Sequence, residues 1–344
     1  MQYFIPKRVY YEPQSLDYDL GRELIDRFNK MGIEINSTAS HNRVTGIPGK
    51  TAAQAYRESK KTLVIGVRRD SPFQTCKPSA HYQLPLVTGC SGMCEYCYLS
   101  TNMGKKPYIR IYVNIDEILQ TAQQLIQARS PEITVFEGSA VSDPIIVERY
   151  SKSLEKTIEF FSKEELGRFR FVTKFTDIDS LLALNHNNHS TIRFSINCQS
   201  IIKKYEHGTP TLAERLEAAG KILQAGYPLG FLIAPIIFFP GWEEEYESMV
   251  KDLAQSINSH RGNVDEKITL ELISHRYTKR AKFNIMDIFP ESELPMDEDK
   301  RKFKYGQFGY GKYVYPSDIM DLFKEKFQVY IEKYLPESET KYFV

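Results

Sequence analysis

The 344-residue sequence predicts an α/β fold: a partial, open β/α barrel of about six strands, with N-terminal and C-terminal additions that include a β-hairpin. Three observations predict it. From about residue 80, short apolar runs alternate with amphipathic stretches, the rhythm of parallel strands joined by right-handed crossovers. There are six such steps, fewer than the eight of a closed barrel. Residues 1–75 and 276–344 lack the rhythm, so they read as an α/β lead-in and a basic, aromatic C-terminal region around a barrel at 76–275.

In the lead-in, a helix is expected near Leu20–Met31 and an apolar strand at Thr62–Val67. The barrel strands are expected at His81–Thr88, Ile133–Ser139, Arg168–Phe175, Thr191–Asn197, Leu229–Ile236 and Lys267–His275. Asn114 suits the N-cap of the first helix, whose apolar face carries Ile115, Ile118, Leu119, Ala122, Leu125 and Ile126. Asp143-Pro144 opens the second: an acidic cap, then a proline whose missing N–H costs nothing in the first turn. Its stripe of Ile146, Tyr150, Leu154, Ile158 and Phe161 predicts one continuous helix. A shorter helix is expected at about Ile178–Leu184. Thr211 and Glu214 form a capping box for the fourth, which stops at Gly226, and the fifth runs from about Glu243 to Ile257.

Composition narrows the class. With 42% hydrophobic and 26% charged residues, the chain is an ordinary globular protein rather than a disordered one. Lys plus Arg (45) nearly cancels Asp plus Glu (44), so any surface for an anionic polymer must be local. The first residues carry no apolar signal core, which implies a cytoplasmic protein with no membrane partner. The longest uncharged stretch, Tyr227–Trp242, is broken by prolines and reads as a buried strand.

Three of the five cysteines, Cys90, Cys94 and Cys97, fall in a Cys-x3-Cys-x2-Cys loop directly after the first barrel strand. Chemistry in such barrels sits at the C-terminal ends of strands. An iron–sulfur cube normally takes four thiolates, so three leave one iron open for a small molecule. A structural zinc with Cys76 as fourth ligand is the competing reading, and a zinc-stabilised nucleic-acid-binding protein its functional form. The strand–loop placement and the aromatic at Tyr96 favour the cluster. Cys76 and Cys198 read as incidental or buried thiols.

The spacing matches the radical S-adenosylmethionine (SAM) signature. The loop Thr88-Gly-Cys-Ser-Gly-Met-Cys-Glu-Tyr-Cys-Tyr-Leu99, with Phe136-Glu-Gly-Ser-Ala-Val-Ser-Asp143 and Phe231-Leu-Ile-Ala-Pro-Ile236, resembles the spore photoproduct lyase family. That resemblance implies a barrel of the radical SAM type carrying a [4Fe–4S] cluster and SAM. The reaction it implies reverts 5-thyminyl-5,6-dihydrothymine in double-stranded DNA to two thymines. It further implies an electron donor such as a flavodoxin or ferredoxin, and work in the spore core on germination. A 5′-deoxyadenosyl radical takes hydrogen from the lesion, a cysteine returns one, and tyrosines pass the radical back. A radical SAM enzyme acting on another nucleic acid or a peptide is the alternative.

By the same resemblance, Tyr96 and Tyr98 occupy the positions of the family's tyrosines, and Ala140 that of its donor cysteine. Alanine has no comparably weak hydrogen to give. An intact surrounding block suggests an engineered substitution, and a protein that starts the radical reaction without finishing it cleanly. Ser142, Lys174, Ser195, Asn197 and Ala234, at strand ends, are the expected SAM contacts. In the tail, Lys279 and Arg280 form one basic cluster, and Arg301 and Lys304 lie in a second that leads into Tyr305. Basic side chains neutralise phosphates while an aromatic wedge fills the gap left by an unstacked base, and Tyr305 is the best wedge. Gly309 and Gly311 are expected to allow the hairpin turn.

Overall fold

The computed structural model describes residues 3–69, 72–77, 79–99, 103–104, 106–261, 267–305, 309 and 311–344. The chain forms two units, residues 1–93 with 102–191 and residues 94–101 with 192–344.

In the first unit, strands β1 (Arg8–Tyr11), β2 (Glu34–Ser37), β3 (Thr62–Gly66) and β8 (Ile109–Tyr112) pair in parallel in the order β2-β1-β3-β8. Strand β6 (Val87–Thr88) closes that sheet antiparallel to β8. All five residues of β3 are buried, as expected of a strand covered on both faces. Helices α1 (Asp19–Lys30) and α2 (Ala52–Ser59) belong to this region, and Thr51 caps α2 by accepting the Gln54 N–H. The barrel strands of this unit are β5 (Ala80–Gln83), β9 (Thr134–Glu137) and β10 (Gly167–Thr173), all parallel. A short strand β4 (Thr75–Cys76) lies antiparallel on β5. Phe136, Phe161, Phe169 and Phe171 pack beneath them, with Phe161 and Phe169 stacked at 5.6 Å.

The helices of this unit depart from expectation in three places. Helix α3 (Ile115–Arg129) begins at Asn114, but that side chain caps nothing. Its amide instead donates to the Arg68 carbonyl and accepts the Arg68 N–H, tying the helix start to the end of β3. The expected continuous helix after Pro144 is two, α4 (Ile145–Ser151) and α5 (Ser153–Phe161), broken at Lys152 with φ +49°. The third expected helix is only a 3-10 turn, Asp179–Leu181.

Glu148 explains the break. Its buried carboxylate accepts the N–H groups of Leu154 (2.8 Å) and Glu155 (2.9 Å), capping α5 from the previous helix. Burial pushes its pKa from 4.5 up to about 7. Between those values the folded chain holds a proton that the unfolded chain has released. The contribution of this group is therefore full at low pH and falls as pH rises through that window. Glu148→Gln is expected to remove this fall, roughly 2 kcal/mol across the window. Urea midpoints at pH 5 and pH 7.5 for both proteins check it.

The second unit holds β11 (Ser190–Ile196), β13 (Leu229–Ile236), β14 (Thr269–Ser274) and β17 (Glu339–Phe343), paired in parallel in that order through residues from 192 onward. Helices α6 (Gln199–Tyr205), α7 (Leu212–Gln224) and α8 (Trp242–His260) accompany them. The Thr211–Glu214 capping box is present, and Gly226, at φ +81°, follows the end of α7. Arg193 on β11 reaches Glu271 on β14 at 2.9 Å. A Cβ on the intervening Gly230 would lie 2.9 Å from the Arg193 side chain, so glycine makes room for this buried ion pair. The C-terminal region adds α9 (Lys279–Ile288), the hairpin β15 (Lys302–Tyr305) with β16 (Gly311–Val314), and α10 (Ser317–Tyr334). No helix among the described residues is long and apolar enough to cross a membrane.

Candidate active site

In the first unit the site is built on Gly89, which leads into Cys90 at φ +83°. A Cβ there would lie 2.5 Å from the Tyr108 carbonyl, so only glycine lets the chain pass. Gly89 donates to the Val141 carbonyl (2.9 Å) and accepts from Asp143 N–H (3.3 Å). The start of the cysteine loop is thereby stitched to the loop that carries Ala140 and Ser142. Cys90 is half-buried, its sulfur accepts the Gly92 N–H at 3.3 Å, and its carbonyl accepts from Lys60.

Asp143 binds the next strand end to the same loop. Its carboxylate accepts from the Thr173 hydroxyl and the Lys174 N–H, both at 2.8 Å, and burial raises its pKa to about 6. Lys174 is thus fixed by its backbone beside Ser142, whose own hydroxyl turns back to the Gly138 carbonyl. Gly138 is glycine because a Cβ would meet the Phe169 ring at 2.7 Å.

Glu137, the last residue of β9, makes the connection that sequence reasoning missed. One carboxylate oxygen accepts from Ser139 N–H (3.2 Å) and hydroxyl (2.6 Å), and the other from the Ser79 hydroxyl (3.2 Å). Ser139 precedes Ala140, and Ser79 lies just beyond Cys76 in the β4–β5 hairpin. The carboxylate therefore bridges the hairpin of Cys76 to the loop of Ala140. Cys76 is half-buried.

In the second unit, the Cys97 N–H donates to the Cys94 carbonyl at 3.2 Å, a tight turn that places Glu95 and Tyr96 between two thiols. Cys94 is buried and Cys97 half-buried. The turn is held by residues 205–207. Glu95 N–H donates to the Tyr205 carbonyl, its carboxylate meets His207 at 2.7 Å and Ser292, and the Tyr96 hydroxyl donates to Glu206. Tyr98 is 57% exposed.

Ser195 and Asn197 lie at the end of β11, both buried. The Asn197 amide donates to the Pro235 carbonyl and accepts the Cys198 N–H, so it is a brace between β11 and the end of β13. Ala234 is half-exposed on β13. Cys198 is 1% exposed, and burial raises its thiol to about 11.

The basic aromatic region divides sharply. Tyr305 is 72% exposed and Phe303 47%, with Lys302 and Lys304 exposed beside them. Lys279 and Arg280 are exposed on the first turn of α9. Arg301 is turned inward: its guanidinium donates to the carbonyls of His275 and Pro295 and lies 3.5 Å from the Tyr315 ring centroid. Tyr313 and Tyr315 are buried, Tyr313 stacking on Tyr277 at 5.3 Å. One arm of the hairpin is surface and the other is core. Gly309 has φ +74°, and Gly311, next to β15, would push any Cβ into the Phe303 ring. Residues 306–308 and 310 of the turn lie outside the described residues.

All five cysteines are free of disulfides. Among the described residues no three metal-ligating side chains are gathered as around a bound ion; thiols at Cys-x3-Cys-x2-Cys spacing, with a backbone N–H on the Cys90 sulfur, are the donor chemistry of an iron–sulfur cluster, whose thiolates accept such bonds.

The family model described as spore photoproduct lyase matches residues 4–344. A spore photoproduct lyase of Clostridium acetobutylicum is 52% identical over 338 residues, covering 98% of each chain. One of Bacillus subtilis is 47% identical over 340 residues, covering 99% of this chain and 98% of that one. A solved spore photoproduct lyase with bound AdoMet and dinucleoside spore photoproduct superposes with a TM-score of 0.96 at 47% identity, covering 100% of both chains. It is a double mutant, with alanine for cysteine and cysteine for serine at its positions 140 and 76. The partial β/α barrel, the cysteine loop and these full-length likenesses agree: the chain belongs to the spore photoproduct lyase family.

Proposed function

We propose that this protein reverts the spore photoproduct in DNA to two thymines, with Cys90, Cys94 and Cys97 holding a [4Fe–4S] cluster and Cys76 serving as hydrogen donor. One observation carries the reading. This chain has alanine at 140, where the family resemblance puts the donor cysteine, and a cysteine at 76; a solved relative with alanine for cysteine at its position 140 and cysteine for serine at its position 76 binds AdoMet and the dinucleoside lesion. A relocated donor is a second account of Ala140 beside an engineered substitution, and it needs no lost function.

When bound, the cluster and SAM supply the carbon radical that removes a hydrogen from the lesion. The protein's residues do the rest. In the first unit Lys174, fixed through Asp143, is a point charge for the SAM carboxylate and Ser142 a further contact; in the second unit Ser195 and Ala234 are the residues assigned to SAM. Once the bond between the bases has broken, the Cys76 thiol gives its hydrogen atom to the thymine allylic radical, leaving a thymine and a cysteine thiyl. Glu137 supports this geometry by bridging the two loops concerned. Tyr96 and Tyr98 return the unpaired electron toward the start of the cycle. Cys198 is unsuited to donation because it is sealed from any substrate.

The substrate in this reading is the lesion within a duplex. The exposed Tyr305, Lys304, Lys279 and Arg280 meet the DNA, while Arg301 braces the hairpin from behind. A damaged step is easier to unstack than an intact one, which favours delivery of the lesion to a buried centre.

The test is anaerobic incubation of the reconstituted protein with reductant, SAM and a spore-photoproduct dinucleotide. Thymine should appear, and Cys198→Ala should leave its yield unchanged. Formation of 5′-deoxyadenosine without thymine would retain the radical chemistry and overturn the substrate.

A further inference from the structure

Tyr96 does not stand alone in its unit. Its hydroxyl donates to Glu206, and the other Glu206 oxygen is 2.6 Å from Arg215. Both of those side chains are 0% exposed. Arg215 is fixed in turn by the carbonyls of Pro210 (2.8 Å) and Ser195 (2.9 Å) and by the Thr209 hydroxyl (2.9 Å). A buried ion pair contributes little net stability against an apolar replacement, and losing one partner is costly. Its retention here, ending on a phenol next to two cluster thiols, calls for another reason.

That reason lies in tyrosine chemistry. A phenol that loses one electron becomes a strongly acidic radical cation, so its oxidation near neutral pH needs a base already in hydrogen-bond contact. The Tyr96 hydroxyl already donates to the Glu206 carboxylate, which Arg215 holds in position. Electron and proton must then leave together, and the Glu206 carboxylate is the acceptor in place.

We infer that Glu206, held by Arg215, is the proton acceptor that makes Tyr96 oxidisable during radical return. The step balances. A cysteine thiyl takes one electron from Tyr96 and becomes a thiolate, while the phenolic proton passes to Glu206. The products are a neutral tyrosyl radical, a thiolate and a carboxylic acid. Arg215 is a positioning residue, aiming the carboxylate and resisting its rotation. The inference rests on the proposed role of Tyr96 in radical return.

The experiment compares Glu206→Gln, Glu206→Asp and Tyr96→Phe in the full chain, loaded with cluster and SAM and given the dinucleotide. Glutamine keeps the size and an oxygen for the hydrogen bond but takes no proton under these conditions. Glu206→Gln is expected to complete its first turnover normally. It should then slow later ones by on the order of a hundredfold, the scale of positioned proton-transfer groups. The ratio of 5′-deoxyadenosine to thymine should rise, and Glu206→Asp should restore part of the loss. An independent readout is the excess of the solvent deuterium isotope effect on later turnovers over that on the first, which carries thiol transfer alone; the excess is expected in the unmodified chain and absent in Tyr96→Phe. This arm holds the test even if Glu206→Gln fails to fold. Unchanged later turnovers in Glu206→Gln, with Tyr96→Phe impaired, would overturn this inference alone. Unchanged turnovers and product ratio in Tyr96→Phe would overturn the role of Tyr96 and this inference with it.

Discussion

Replacing Cys76 by alanine is expected to cut thymine recovery on the order of 10²-fold, about 2.7 kcal/mol of transition-state stabilisation, while 5′-deoxyadenosine continues to form. Adding Ala140→Cys to that variant should return most of the yield, because the Glu137 bridge ties both positions to one support. Ala140→Cys alone should change little, since a donor is already present. In deuterated water the methyl group of the repaired thymine should carry solvent deuterium from the exchangeable thiol, and the Cys76→Ala product should not. Wild-type yield and label in Cys76→Ala would move the donor elsewhere. Cys90, Cys94 and Cys97 are assigned to the cluster in the proposed reading, and Cys198 is sealed in the core. The half-buried Cys76 alone combines surface with a hairpin anchored to the Ala140 loop.

The proposed donor has no signature in the sequence for a reason that recurs. Features whose cause is local are legible: the three-cysteine spacing, the Thr211–Glu214 capping box, and five of the six expected barrel strands, each placed within a few residues; the expected strand His81–Thr88 is instead two, β5 beside β9 and β6 in the other sheet. Features decided by a distant partner are not legible. The apolar stripe from Ile146 to Phe161 is a fair helical pattern, yet the helix breaks at Lys152 because Glu148 satisfies the N–H groups of the next turn. Asn114 has the right type for a cap but is claimed by Arg68. Arg301 reads as a phosphate contact within a basic run, and is instead bound by the carbonyls of His275 and Pro295. Cys76 reads as incidental in the sequence because its proposed role depends on Ala140, to which the sheet pairing β4-β5-β9 and Glu137 connect it. Buried carboxylates at 137, 143 and 206 share this character: each organises groups far apart in sequence, so none carries a local signature.

The exposed arm of the hairpin leads to a test on DNA. Tyr305→Ala should weaken binding to a lesion-containing duplex by ~1–3 kcal/mol, the value of one base stacked on an aromatic ring, while repair of the free dinucleotide stays unchanged. The contrast matters, because a dinucleotide has no stack to open and offers the hairpin no partner. Lys304→Ala should act differently, lowering affinity for lesion and normal duplexes alike and reducing the slope of log K against log salt by about one. Arg301→Ala is a structural control. Its guanidinium braces His275, Pro295 and Tyr315, so its loss should lower the unfolding midpoint as well as duplex affinity. Tyr313 and Tyr315, buried on the core arm, are expected to behave as Arg301 does and not as Tyr305 does. Equal loss of dinucleotide and duplex repair in Tyr305→Ala would place that ring in the reaction centre instead of at the DNA surface. A duplex affinity indifferent to Tyr305, Lys304, Lys279 and Arg280 together would remove this face from the DNA interface altogether.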